Sequence, residues 1–181
     1  MFSVLGFMYL WSYIKTTFTD PGQIPLYWGF RKGASSDQRK RYCVICNHFK
    51  PDRAHHCSSC NVCVLNMDHH CPWLNSCIGF WNRKSFILTL IYLWFTVLLF
   101  SASHWQRYVE LFNVFVTTAQ TFKPPPLYMA EGRGFTLLVH LAIIITFFFL
   151  IILGKFTLFH INLILSNKTT IGNLSHQNKP Y

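Results

Sequence analysis

Seven cysteines lie in one short stretch of the chain, where two clusters place a histidine directly before a cysteine. The cysteines are Cys43, Cys46, Cys57, Cys60, Cys63, Cys71 and Cys77. Several are separated by only two residues, and such pairs with nearby histidines are typical of zinc sites. A structural zinc takes four ligands, so six cysteines and two histidines would supply two sites and leave one cysteine over.

The neighbours of Cys71 single it out as the spare cysteine, because it directly follows Asp68, His69 and His70. A thiol attacks as the thiolate, and the free thiol has a pKa of about 8.5, so a nearby base must raise the thiolate fraction. His69 is the candidate base, and Asp68 would orient its imidazole. The alternative for Asp68 is a turn or capping role. This cluster predicts a nucleophilic cysteine beside a metal site.

Other interpretations of the cysteines remain open at this point. All seven could be structural, either as zinc ligands or as disulfides of a secreted domain. Disulfides are disfavoured, because secreted frameworks have an even cysteine count and a signal peptide, whereas this chain has seven cysteines in a basic segment. Spacing also leaves the histidine ligands undecided, since His55 would serve as well as His56 and His48 is available too.

Apolar runs on both sides of the cysteines predict helices that cross a membrane. Hydrophobic residues make up 51% of the chain. Residues 86–100 carry no charge, and with their flanks they reach the roughly 20 residues that a spanning helix needs. A second run from Phe135 to Leu153 contains His140 as its only ionisable side chain and continues to Leu165. The first segment, 1–14, is short for a span.

The distribution of basic residues predicts the orientation in the membrane. Ten lysines and arginines lie between Lys15 and Lys84, against three between Trp105 and Gly134. By the positive-inside rule the cysteine-rich segment faces the cytosol, which agrees with reduced thiols.

The formal net charge of +10 raises the question of nucleic-acid binding. The cysteine and histidine spacing lacks the C2H2 pattern, however, and basic residues at a cytosolic membrane face attract anionic lipid headgroups or phosphates. We therefore expect no nucleic-acid partner. The residues that could make these contacts are Arg31, Lys32, Arg39, Lys40 and Arg41.

These observations predict seven segments. They are a transmembrane helix (1–19), a cytosolic linker with an Asp-Pro-Gly turn (20–42), a cysteine-rich zinc-binding domain (43–84), a transmembrane helix (85–105), a lumenal loop (106–134), a transmembrane helix that extends into the cytosol (135–165) and a cytosolic tail (166–181).

The cysteine-rich segment resembles a known family, the DHHC-type protein S-acyltransferases or palmitoyltransferases. The pattern that carries the resemblance is Cys43-x2-Cys46-x9-His56-Cys57-x2-Cys60-x2-Cys63-x4-Asp68-His69-His70-Cys71-x5-Cys77. Lys50-Pro51-Asp52-Arg53-Ala54-His55-His56-Cys57 and Cys71-Pro72-Trp73 also follow the family. The resemblance runs from Asp20 to Thr170 and is most specific between Cys43 and Gly79.

The resemblance implies a fold and two metal sites. The fold is an α-helical transmembrane bundle, with three apparent spans and the family's first helix missing, that carries a cytosolic zinc-stabilised domain of short β-hairpins and loops. The implied ligands of two structural zinc ions are Cys43, Cys46, His56 and Cys63 for one site, and Cys57, Cys60, His70 and Cys77 for the other. Zinc would be structural, and Cys71, His69 and Asp68 would be catalytic.

The resemblance also implies an activity, a co-substrate and a location. Cys71 would accept a fatty acyl group from acyl-CoA, such as palmitoyl-CoA, and pass it to cysteines of membrane-associated proteins. The expected location is the Golgi or endoplasmic reticulum membrane, with the active site in the cytosol. An acyl cavity between the helices could be walled by large side chains. The candidates are Phe86, Tyr92, Trp94, Phe147 and Phe148, and the alternative for each of them is an ordinary lipid-facing or packing role.

The tail departs from the family pattern. Lys168-Thr169-Thr170-Ile171-Gly172 resembles the family's Thr-Thr-x-Glu motif, but Gly172 occupies the glutamate position. If that glutamate helps to dock the tail, docking should be weaker here. A rival hypothesis is a zinc-stabilised membrane adaptor in which Cys71 is inert, and a soluble nucleic-acid-binding zinc protein is a more distant one.

Overall fold

The computed structural model describes residues 2–25, 28, 41–121 and 133–177. Within these ranges the chain forms long helices around a small domain of β-hairpins. The elements are α1 (Phe2–Phe18), β1 (Tyr42–Cys43), β2 (His48–Phe49), β3 (His55–Cys57), β4 (Val62–Val64), β5 (His69–Cys71), β6 (Ser76–Ile78), α2 (Arg83–Ser103), α3 (Trp105–Thr121), α4 (Arg133–Leu165) and α5 (Thr170–Gln177). The strands pair as three separate antiparallel hairpins, β1–β2, β3–β4 and β5–β6.

Helices α1, α2 and α4 pack against one another through small polar residues and one tryptophan. Thr16 of α1 and Thr89 of α2 place their hydroxyl oxygens 3.4 Å apart in a buried contact. Trp94 of α2 donates from Nε1 to the carbonyl oxygen of Leu150 in α4, at 3.1 Å. A Cβ at Gly154 would lie 2.9 Å from that nitrogen, so only glycine allows α4 to approach this closely.

Among the described residues, two helical segments are long and apolar enough to cross a membrane, Arg83–Ser103 and Leu141–Leu165. Length and composition support this. Leu141–Leu165 falls within the span predicted at 135–165, and Arg83–Ser103 overlaps the span predicted at 85–105 but begins two residues before it. Helix α1 has 17 residues, fewer than the roughly 20 that a spanning helix needs. The third span therefore stays a prediction.

The structure differs from the predicted loop at 106–134, because α3 covers residues 105–121 of that region. Apolar residues recur there at helical spacing, as at Tyr108, Leu111, Phe112 and Phe115, and an amphipathic helix forms readily from such a pattern. The rest of the predicted loop lies largely outside the described residues, as does most of the linker predicted at 20–42.

The second and third hairpins share a sequence pattern and a pairing register. Residues 55–64 read HHCSSCNVCV and residues 69–78 read HHCPWLNSCI, and the strands pair at equivalent positions in both. Their turns place Asn61 and Asn75 in the left-handed region, at φ 54° and 46°, which asparagine tolerates better than most residues. The two hairpins are therefore structural copies of one unit.

Buried Asn82 joins the hairpins to the helices, directly before α2 begins. Its amide nitrogen donates to the carbonyl oxygens of Cys77 (2.8 Å) and Thr16 (3.3 Å), and its side-chain oxygen accepts from the Gly79 amide at 2.9 Å. One side chain thus ties the third hairpin to the end of α1 and to the start of α2.

The Asp20-Pro21-Gly22 segment after α1 docks on the hairpins. The Gly22 amide donates to Asp20 Oδ1 at 2.6 Å, and the Leu65 amide donates to the Gly22 carbonyl at 2.7 Å. A Cβ at Gly79 would lie 2.5 Å from the carbonyl oxygen of Pro21. This close contact holds the hairpin domain against the helix ends.

Candidate active site

Two groups of three cysteines and one histidine come together in the hairpin domain. In each group the possible ligand atoms all lie within 4.8 Å of one another. The first group is Cys43, Cys46, His56 and Cys63, and the second is Cys57, Cys60, His70 and Cys77. These are the two sets that the family resemblance implied.

The distances within both groups fit a tetrahedral zinc ion. Zinc–sulfur bonds of about 2.3 Å and zinc–nitrogen bonds of about 2.0–2.1 Å put neighbouring ligand atoms about 3.5–3.8 Å apart. In the first group, His56 Nδ1 lies 3.2 Å from Cys46 Sγ and 3.9 Å from Cys63 Sγ. In the second, the sulfurs lie 3.4–3.7 Å from His70 Nδ1. Zinc held here would connect hairpins of only two or three residue pairs.

His48 and His55, which spacing also allowed as ligands, lie outside both groups. His48 Nδ1 contacts the carbonyl oxygen of Phe49 at 3.3 Å. His55 lines a basic cavity at the surface, described below. His56 precedes Cys57 on β3, and side chains alternate along a strand, so these two neighbours serve different groups.

The same alternation places Cys71 outside both metal groups. On β5, His70 belongs to the second group, so the next residue points to the other face of the hairpin. Its counterpart in the second hairpin is Cys57, which forms a C-x2-C pair with Cys60, but here Leu74 takes the place of that second cysteine. Cys71 is therefore left without the partner that a metal site of this kind requires.

The tight turn after Cys71 keeps the hydrogen bonds of a metal-binding cysteine. In the second hairpin, the Cys60 amide points at Cys57 Sγ at 3.4 Å. Burial raises the pKa of the Cys71 thiol, but the hydrogen bond with His69 and the amides of Leu74 and Trp73 outweigh it. The pKa of Cys71 is consequently below its ordinary value, which favours the reactive thiolate.

His69 bonds both to the thiol of Cys71 and to the carboxylate of Asp68. His69 Nδ1 lies 2.8 Å from Asp68 Oδ2. Burial alone would lower the pKa of His69, but the bonds to Asp68 and Cys71 outweigh it and raise the pKa to about 9. Burial would likewise raise the pKa of Asp68, which the hydrogen bonds from His69 and Thr170 instead hold at about 2. A thiol, an imidazole and a carboxylate in this order can serve as nucleophile, base and orienter.

The C-terminal tail completes the surroundings of Asp68. Thr170 donates to this carboxylate from its hydroxyl at 2.8 Å and from its amide at 3.1 Å. Arg83 lies 3.2 Å from Asp68 Oδ1 and donates to the carbonyl oxygen of Lys168 at 2.6 Å. Sequence reasoning missed Arg83 and the pairing of Thr170 with Asp68. These contacts join positions far apart in the chain, and no local spacing indicates them.

A helix cap of this kind has two side-chain hydrogen bonds, and Gly172 cannot make one of them, while the other is present. Thr169 directly precedes α5, and its hydroxyl oxygen accepts from the Gly172 amide at 3.1 Å. A threonine at the cap with a glutamate three residues later forms a capping box, in which the glutamate reaches back to the cap amide. The tail of this chain still docks through Thr170, so the missing glutamate affects the start of α5 and spares the contact with Asp68.

Replacing Thr170 with valine is expected to destabilise the folded protein by roughly 1.5–3 kcal/mol, the range for a lost hydrogen bond to a charged group. Asp68 is buried, so water cannot take the place of the hydroxyl. Thermal unfolding of the purified protein measures the change. Thr146→Val is the matched control, since that hydroxyl is exposed and bonds only within its own helix. Equal loss in the two variants would contradict the prediction.

An apolar cavity of about 430 Å³ opens beside Cys71. Its walls come from α1, from the third hairpin, and from α2 and α4. The residues that line it include Tyr13, His69, Phe86, Leu90, Leu153 and Phe156. The thiol thus borders a cavity that apolar side chains of three helices largely line.

Of the five large side chains predicted to wall such a cavity, only Phe86 lines it. Tyr92 faces a separate groove between α1 and α2, and Trp94 packs on α4. Phe147 and Phe148 are exposed. For these four the structure favours the alternative of a lipid-facing or packing role, because a run of apolar residues does not reveal which helix face turns inward.

A second cavity, of about 390 Å³, is basic and lies between the hairpins and the tail. Arg41, Arg53, His55 and Lys168 line it, and Arg53 also donates to Asn167 Oδ1 at 3.1 Å. Of the basic residues predicted to contact phosphates, Arg41 is here. The other four, between 31 and 40, lie outside the described residues.

Comparison with known proteins gives a consistent result. The profile of the family described as DHHC palmitoyltransferase matches residues 36–177. The Arabidopsis thaliana protein named "Probable protein S-acyltransferase 12" is 34% identical over 183 residues, which covers 94% of this chain and 59% of the relative. "Probable protein S-acyltransferase 14" from the same plant is 32% identical over 192 residues, with the same coverage. The chain therefore spans about three fifths of the length of these curated relatives.

Proposed function

Since the chain belongs to the DHHC palmitoyltransferase family, we propose that it is a protein S-acyltransferase. It transfers a fatty acyl group from acyl-CoA, through a thioester on Cys71, to cysteines of membrane-associated proteins. The observation that carries this proposal is the position of Cys71, which lies outside both metal groups, bonds to His69 and borders an apolar cavity.

In the first half-reaction Cys71 takes the acyl group. His69 accepts the thiol proton, and the sulfur of Cys71 attacks the carbonyl carbon of the acyl-CoA thioester. The bond from that carbon to the CoA sulfur breaks, and the CoA sulfur leaves with the electron pair and receives the proton from His69. Asp68 remains a carboxylate and keeps the imidazole in one orientation.

In the second half-reaction a cysteine of the protein substrate replaces Cys71. The substrate thiol gives its proton to His69, and its sulfur attacks the acyl carbon. The bond from that carbon to the Cys71 sulfur breaks, and this sulfur leaves with the electron pair and receives the proton from His69. One thioester is exchanged for another in each half, so no nucleotide is needed. Zinc in the two groups would keep the hairpins folded, with ligands from the two sets named above.

The two cavities support acyl-CoA as the donor. The apolar cavity beside Cys71 offers the acyl chain burial worth about 0.8 kcal/mol per CH₂. The basic cavity at Arg41, Arg53, His55 and Lys168 would receive phosphates of CoA through charge-assisted hydrogen bonds.

A membrane location follows from the same family and from the two apolar helical segments. We assign α1 as a third span, and the protein to the Golgi or endoplasmic reticulum membrane. The hairpin domain would face the cytosol, where its seven cysteines, all free, stay reduced. Substrates would present cysteines close to the bilayer surface, near the point where α2 begins.

Incubation of the purified protein with labelled palmitoyl-CoA tests the proposal. The label should become covalent, should be released by neutral hydroxylamine, and should map by mass spectrometry to the peptide that contains Cys71. A lipid-anchored peptide with one cysteine, added in a chase, should then remove the label. Metal content of two zinc ions per chain confirms that the sample is folded. Failure of such a sample to take up any label would reject the proposed activity.

A further inference from the structure

His160 lies on α4, outside the cysteine-rich segment, and its side chain is close to Asp68 and His69. Its side chain is only 2% exposed, and its Nδ1 lies 3.7 Å from Asp68 Oδ2. That nitrogen is buried and has no hydrogen-bond partner in the described part of the chain. A buried polar atom of this kind is costly, so its position next to a carboxylate requires an explanation.

The imidazole of His160 lies between the catalytic group and the apolar cavity. Its ring centre is 5.5 Å from that of His69 and 4.5 Å from that of Phe156. Phe86 packs edge-on against both histidines, with its ring centre 5.2 Å from each. These contacts leave His160 little freedom except for a small movement towards Asp68.

A metal site is the first alternative, since Asp68, His69 and His160 offer ligand atoms within 4.8 Å of one another. The charges argue against it. Arg83 already lies 3.2 Å from the same carboxylate, and Thr170 and His69 donate to it. A cation would have to displace these donors, whereas an N–H donor would only add to them.

We propose that His160 is a positioning residue for the acyl transfer, a role that rests on the proposed function. Its Nδ1–H donates to Asp68 Oδ2, and its ring keeps the imidazole of His69 directed at Cys71. An approach of about 0.7 Å brings the two atoms into hydrogen-bond distance. Helix α4, which lines the apolar cavity, thereby also keeps Asp68 and His69 in position.

Two substitutions separate the N–H donor from the aromatic ring. His160→Phe keeps a ring among Phe86 and Phe156 but has no donor, and His160→Asn keeps an N–H near the position of Nδ1 but has no ring. Leu158→Ala is the control, because Leu158 is an exposed residue of the same helix. Each zinc-loaded protein is alkylated with iodoacetamide, and the rate at Cys71 is followed by mass spectrometry, beside the maximal rate and KM of self-acylation.

We expect His160→Phe to slow alkylation and to lower the maximal self-acylation rate roughly tenfold, as one lost hydrogen bond to a charged group predicts. KM for palmitoyl-CoA should stay unchanged, because the cavity wall keeps its ring. His160→Asn should recover most of the alkylation rate, and Leu158→Ala should match the parent.

Three outcomes would overturn the role of His160: parental alkylation in His160→Phe, equal loss in the phenylalanine and asparagine variants, or a third zinc ion that the substitution removes. The alkylation assay needs no acyl-CoA. The parent could take up no acyl label while His160→Phe is alkylated slowly. That result would reject the proposed function but would support the positioning of His69 by His160.

Discussion

Replacing Cys71 with serine should abolish acyl labelling while the fold and both metal groups stay intact. A serine hydroxyl is far less acidic than a thiol, so His69 and the amides of Trp73 and Leu74 cannot produce a useful anion at this position. Loss of a nucleophile that acts together with its base removes at least about a thousandfold of the rate. Incorporation of labelled palmitate measures this directly.

The matched control for this prediction is Cys77→Ser, in the same hairpin. Cys77 belongs to the second metal group, so its variant should lose zinc together with the label. The Cys71 variant should lose the label alone and keep two zinc ions per chain. A hydroxylamine-labile label on the Cys71 variant would show that another cysteine is the nucleophile, and a loss of zinc would show that Cys71 is a ligand.

Removal of zinc should unfold the hairpin domain and leave the long helices in place. The strands contain two or three residues each, and hairpins of this size are not stable alone. Structural zinc contributes an apparent binding energy of about 10–16 kcal/mol in small domains, and this energy is also folding energy. We therefore expect chelation to expose six thiols that the metal had protected, with little change in helical circular dichroism.

Counting reactive thiols makes this second prediction quantitative. The parent should show one reactive thiol with zinc bound and seven after chelation, and the Cys71→Ser variant should show none and then six. Acylation should disappear with the metal and return when zinc is restored. Thiols that stay protected after chelation would mean that packing, and not metal, holds the hairpins together.

The metal-binding hairpins were the most predictable part of the fold, because zinc ligation is a local matter. Two residues between cysteines set a turn, and the residue types define the metal, so a linear pattern is enough to indicate a zinc domain. The choice of His56 and His70 and the division into two ligand sets came from the family resemblance. The apolar runs of α2 and α4 were predictable for a similar reason, since length and absence of charge suffice. The helix at 105–121 was not predicted because this region was interpreted only as the connection between two spans, although its apolar residues recur at helical spacing.

Contacts between distant segments could not be predicted from the chain. Thr170 and Asp68 are joined only because α4 returns the tail to the hairpins, and Arg83 fills the space between them. Asn82 has no special spacing, yet it ties three elements together. The sequence also does not show which face of each helix turns inward, and four of the five candidate cavity residues therefore lie outside the cavity.

The sequence by itself indicated that six cysteines and two histidines suit two zinc ions, and the neighbours of Cys71 indicated that it is the spare cysteine. Ligand number gives the two sites, because each structural zinc takes four donors, and the adjacent Asp68, His69 and His70 single out Cys71. Only the tertiary structure decided what the spare thiol can do. Strand alternation turns Cys71 away from the metal, Leu74 denies it a partner cysteine, and the packing of α1, α2 and α4 sets an apolar cavity beside it. Reactivity depends on these surroundings, which chain segments far apart in sequence supply together.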